Sequence, residues 1–104
     1  MIKINIQKEH NVLKNISISG HAMYDNIGKD IVCSAVSSIV ICSINAIIML
    51  NEDSIIVNQE DNKIEIKILN YDEITNKLLL NMMNLLKEIK NNYPKNIKIK
   101  EVSL

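Results

Sequence analysis

Ile2-Lys3-Ile4-Asn5-Ile6-Gln7 alternates an apolar with a polar side chain at every step. That period of two is the signature of a strand buried on one side only. Ile16 and Ile18 repeat the pattern against Asn15, Ser17 and Ser19, after a polar turn at Lys8-Glu9-His10-Asn11. Ile55 to Val57 and Ile64 to Leu69 read as a hairpin turning at Glu60-Asp61-Asn62, and Ile97, Ile99 and Val102 suggest a final strand. Strands with one apolar and one polar face build a single sheet covered on one side. Two helices supply the cover. The first starts near Asp30, a plausible N-cap, and runs to about Leu50; its nearly all-round apolar coverage reads as burial on most sides. The second is capped by Asp72, carries Ile74, Leu78, Met82, Leu85 and Ile89 on one face, and is stopped by Asn91-Asn92-Tyr93-Pro94. The order ββαββαβ predicts an α+β fold: a single, largely antiparallel sheet with two helices on one face, forming one domain over residues 1–104.

Composition excludes several function classes. The 12 basic residues are all Lys and balance 12 acidic ones. No run of like charge exceeds two residues, so the chain shows no electrostatic footprint for direct nucleic-acid binding. The Ile, Asn and Lys excess reads as the codon bias of an AT-rich, bacterial genome. Two cysteines do not make a disulfide framework, and the alternating N-terminus lacks an apolar signal core. A cytoplasmic protein with reduced thiols is expected. Ile31 to Asn51 is uncharged and long enough to raise a transmembrane reading. Ser34, Ser37, Ser38, Ser43 and Asn45 interrupt it, and no basic flank or aromatic belt accompanies it, so a core helix and no membrane partner is expected.

The chemistry concentrates in Gly20-His21-Ala22 and Asp30-Ile31-Val32-Cys33. A helix starting at Asp30 places Cys33 in its first turn, where unpaired N–H groups and the positive dipole end favour a thiolate and could stabilise an oxyanion. The alternative is a small core residue. His21, at the end of a strand leading toward that helix start, is placed to take the thiol proton and return it to a leaving amine; otherwise it is a loop histidine bonded to backbone. Gly20 permits close approach. Asp30 either caps the helix or also orients His21, and Ser37 lies one turn after Cys33 on the same face. Cys42 falls nine positions after Cys33 on about the opposite face and is expected in the core. A zinc site needs about four ligands and too few converge, so no metal is expected.

Taken together, Gly20-His21-Ala22, the loop ending in Gly28-Lys29, and Asp30-Ile31-Val32-Cys33-Ser34-Ala35-Val36-Ser37 resemble the signature of the ribosomal-processing cysteine protease family, Prp. The resemblance implies a cofactor-free, homodimeric bacterial protease with His21 as catalytic histidine and Cys33 as nucleophile. Gly20, Asp30 and Ser37 match the other motif positions. It further implies a substrate: the precursor of the twenty-seventh large-subunit ribosomal protein, trimmed of its N-terminal extension. Ala22 to Lys29, with Ala22, Met23, Tyr24, Ile27 and Gly28, then reads as a loop that folds over the substrate peptide. The competing readings are a non-enzymatic module that binds a ribosomal protein or assembly factor in the same cleft, and a thiol-based redox or metal protein.

Overall fold

The computed structural model describes residues 1–20 and 27–104, with the side chains of residues 27–30 set aside. The chain runs β1 (Ile2–Glu9), β2 (Val12–Ser19), α1 (Ile27–Leu50), β3 (Ile55–Glu60), β4 (Lys63–Ile68), α2 (Glu73–Asn92) and β5 (Ile97–Ser103). The five strands form one sheet in the order β3-β4-β2-β1-β5. β1 with β2, β2 with β4 and β3 with β4 are antiparallel; β1 with β5 is parallel. The expected element order and one-sided α+β architecture are those observed.

Local chemistry explains the connections. The β1–β2 hairpin turns on two residues, His10 and Asn11, both at positive φ (52° and 63°). Two left-handed residues in succession match the right-handed twist of the flanking strands. β2 to β3 and β4 to β5 are each strand–helix–strand units joining parallel strands. Because β2 and β4 are antiparallel and the two units travel toward opposite edges of the sheet, right-handed crossovers bring both helices to one face. There Ile2, Ile4, Ile6, Ile16, Ile18, Ile64, Ile66 and Ile97 meet Val36, Val40 and Ile47 of α1 and Leu79, Met82 and Leu86 of α2 in a single core.

Three details of the helices differ from the sequence-based expectation. α1 begins at Ile27, before Asp30. Adding a turn to an existing helix costs little beyond one residue's ordering per bond, even through Gly28. The buried side of α1 is a single stripe, Val32, Cys33, Val36, Val40, Ile44 and Ile47. Its other apolar side chains are not buried: Ile31, Ile41, Ile48, Met49 and Leu50 are 43–86 % exposed. All-round apolarity therefore reflects two different faces, not burial on most sides. On α2 the core residues are Thr75, Leu79, Met82, Met83 and Leu86, while Ile74 is exposed and Leu85 largely so. The stripe is rotated because Thr75, a polar residue, occupies its first position.

Thr75 can be buried because its hydroxyl is satisfied. It donates to the Asp72 carboxylate at 2.8 Å, and its oxygen lies 2.9 Å from the Ser54 hydroxyl. Asp72 Oδ2 also accepts from the Thr75 N–H at 2.9 Å, which is the expected N-cap bond. These bonds, the backbone one first and that of the Thr75 hydroxyl second, hold the Asp72 carboxyl below the usual carboxylate range, with a smaller contribution from the Asn51 side chain. A depressed folded pKa means the unfolded chain binds the proton more readily, so the cap's contribution is complete above the usual carboxylate range and is lost as pH falls through the lowered value. Asp72→Asn is expected to unfold at lower urea concentration than the parent at neutral pH, and that gap is expected to narrow in acid; a gap independent of pH would contradict the ionised cap.

Candidate active site

Two fixed points bracket the site. The first is Gly20, which closes β2. Its N–H donates to the Asn62 carbonyl at 2.9 Å, tying it to the β3–β4 turn. Its φ is +77°, and a Cβ there would collide with the Met1 carbonyl oxygen. A left-handed backbone costs an L-residue about 1–2 kcal/mol, and the collision adds to that. Met1 is itself held close by, because the Ile2 N–H donates to the Asn96 carbonyl at 2.9 Å. The residue before His21 is thus pinned by two segments distant in sequence. Nothing local in the sequence signals the part played by Met1 and Asn62, since both act through backbone.

The second fixed point is Cys33 on α1. It is 8 % exposed and, with Val32, forms the first buried step of the helix. As the seventh residue of α1 it lies beyond the first turn. This corrects the expectation of a first-turn thiol. The four unpaired N–H groups belong to Ile27 through Asp30, and the dipole's influence fades within that turn. The helix start therefore brings neither its unpaired N–H groups nor its dipole to bear on Cys33.

The remaining expected residues divide plainly. Asp30 stands inside the first turn of α1, so it is not the N-cap; its side chain lies outside the described residues. Ile27, Gly28 and Lys29 belong to the helix, which shortens the expected loop; His21, Ala22, Met23 and Tyr24 lie outside the described residues. Ser37 is half-buried and borders a shallow surface hollow shared with Ile41, Cys42, Asn45 and Met49. Cys42 is exposed, not in the core. The opposite-face geometry of the two thiols holds, but it is Cys33 that faces inward, because the α1 stripe that meets the sheet includes residue 33 and excludes residue 42. Among the described residues, no three His, Cys, Asp or Glu side chains converge as a metal site.

An inward thiol on the first helix and a pinned glycine at the end of β2 are the described parts of the expected site, and the comparisons with known proteins give the class of enzyme. The model of the family described as cysteine protease Prp matches residues 1–98, and the chain belongs to that family. It is a cysteine protease, a hydrolase. The structure of a ribosomal-processing protease Prp from S. aureus in complex with a substrate peptide is similar over 98 % of this chain and 100 % of its own, with a TM-score of 0.91 and 25 % identity. The S. aureus protease with a covalently linked product peptide gives 0.88 and 26 % over the same shares. SMU.848 from Streptococcus mutans shares the fold, with a TM-score of 0.84 and 24 % identity over 100 % of this chain and 96 % of that one. No curated protein sequence matches.

The positions of the thiols make a direct prediction. In dilute folded protein, where single copies prevail, Cys42 is expected to react with a bulky disulfide reagent at about the rate of an unstructured thiol peptide, and Cys42→Ser is expected to remove that phase. Peptide mapping that finds Cys42 protected at every dilution would contradict its outward position on α1.

Proposed function

We propose that this protease removes the N-terminal extension from the precursor of the twenty-seventh large-subunit ribosomal protein, with Cys33 as nucleophile and His21 as its base. The family match over residues 1–98 carries the reading. The similar S. aureus protease holding a substrate peptide supports a peptide substrate. In this mechanism His21 accepts the Cys33 thiol proton. The sulfur attacks the scissile carbonyl, and the tetrahedral intermediate collapses as His21 protonates the leaving amine. That amine leaves as the N-terminus of the mature protein; water, deprotonated by His21, then hydrolyses the thioester, releasing the extension peptide with a free carboxylate and restoring the Cys33 thiol. The pinned Gly20 supports this assignment, because it limits where the imidazole's backbone can sit. Gly20, Asp30 and Ser37 are assigned supporting roles, and Ala22 to Gly28 the contact with substrate. We assign the activity to the bacterial cytoplasm and invoke no cofactor.

The same proposal includes a homodimer, and α1 is where we place it. Ile31, Ile41, Ile48 and Met49 are exposed on one side of the helix. Ser34, Ser38, Ile41, Asn45 and Ile48 continue that side at alternating spacings of four and three, the period of a helix–helix seam. A second copy presenting the same face would bury it with two-fold symmetry.

Two outcomes are expected. Cys33→Ala and His21→Ala each lower the rate of precursor cleavage by more than ~10³-fold, while Cys33→Ala still retains the precursor in a pull-down; cleavage by Cys33→Ala at the parent's rate would sink the assignment. Separately, Ile41→Lys/Ile48→Lys sediments as a monomer at concentrations where the parent is a dimer. A parent that is monomeric at all concentrations, or a variant that still pairs, would remove α1 from the interface.

A further inference from the structure

The zero net charge of the chain conceals a spatial separation. Residues 52–61 contain four acidic side chains and no basic one, whereas residues 87–100 contain five Lys and one Glu. The strand order puts the first segment at the β3 edge of the sheet and the second at the β5 edge. Lys3 adds to the second, since the parallel register sets Lys3 beside Lys98 and Asn5 beside Lys100. Alternation places these four side chains on the open face, away from both helices, where they line one shallow depression. On the helix side of the same strand, Lys87, Lys90 and Asn91 of α2 line a second hollow with Ile99 and Glu101. Glu101 is already paired with Lys8 at 3.3 Å. Among the described residues no carboxylate forms an ion pair with Lys3, Lys87, Lys90, Lys98 or Lys100.

Like charges on neighbouring strands are destabilising, and this edge carries them on both sides of β5. A bound polyanion would relieve that repulsion. We propose that the β5 edge is a docking surface for the phosphate backbone of an RNA. At its β1–β5 end the open face offers Lys3, Asn5, Gln7, Lys98 and Lys100 with Val102 and no aromatic ring, so it suits phosphate and sugar contacts rather than base stacking; the carboxylates of Glu60 and Glu65 stand on that face only at the far, β3–β4 end. It presents no apolar pocket of the sort that anchors a protein partner. The inference is independent of the Cys33–His21 reading, since the open face lies across the sheet from Cys33.

The test is binding of a fluorescein-labelled RNA hairpin followed by anisotropy at 50 and 200 mM NaCl (concentrations on the order of those that resolve counterion release). The parent is expected to bind at the lower salt and to weaken steeply at the higher. Lys98→Gln/Lys100→Gln is expected to lose at least about tenfold in affinity and to flatten the slope of log K on log salt by about two. Lys67→Gln/Lys77→Gln, which removes the same charge elsewhere, should change neither appreciably. Lys87→Gln/Lys90→Gln probes the same edge from α2 should the strand variant fail to fold. Cys33→Ala should bind like the parent, and the β5 variant should cleave the free precursor peptide normally. No binding at 50 mM, a loss in Lys67→Gln/Lys77→Gln equal to that in Lys98→Gln/Lys100→Gln, or displacement of the RNA by polyglutamate at equal charge would overturn the proposal, the last in favour of an acidic protein partner.

Discussion

Rows of isoleucine running across the strands are the constraint on which the rest of the molecule depends. Ile99, Ile4, Ile18 and Ile64 stand in one register row, and Ile6, Ile16, Ile66 and Val57 in the next. The chain has no Phe or Trp to supply bulk. Each buried Ile contributes roughly 1.5–3 kcal/mol of transfer free energy, so the rows dominate whatever covers them. A one-residue slip in any strand would turn its isoleucines to solvent, which fixes the register across the whole sheet. The rows also decide which side of α1 faces inward. That choice puts Cys33 in and Cys42 out.

Much of this was legible because strands report their burial directly. Alternation at Ile2–Ile6 and Ile64–Ile68 names both the element and its inward face. Helix α1 was harder, since apolar residues on its outer face are indistinguishable in sequence from those in its core. Its start was misplaced for a related reason. Asp30 is a good capping residue, but capping propensity is worth about 1 kcal/mol and does not forbid a helix that has already begun at Ile27. On α2 the apolar pattern skipped Thr75, whose burial depends on Ser54, twenty-one positions away in the chain. Polar residues satisfied by distant partners leave no local trace. The pinning of Gly20 by Met1 and Asn62 is illegible for the same reason.

The balance of charge is a similar case. Composition and run length are one-dimensional measures, and both register neutrality here. Folding sorts the charges, because β5 is brought to β1 from the far end of the sequence and α2 lays its basic C-terminal half along the same edge. Lysines on an edge strand also discourage pairing with a second sheet. That role is served by one or two of them and does not call for a matching set on α2.

The site itself divides scaffold from chemistry. Cys33 sits at the rim of the core, where the first buried turn of α1 meets the end of the sheet. A thiol there is shielded from water, and in a low-dielectric setting a charge near it acts more strongly than at the surface. The core holds α1 rigid from Val32 onward, and the Asn62 and Met1 contacts hold Gly20. Both anchors are thus set by structure outside the site: packing holds α1 at Val32 and Cys33, and the left-handed backbone of Gly20, closed over by the Met1 carbonyl, holds the end of β2.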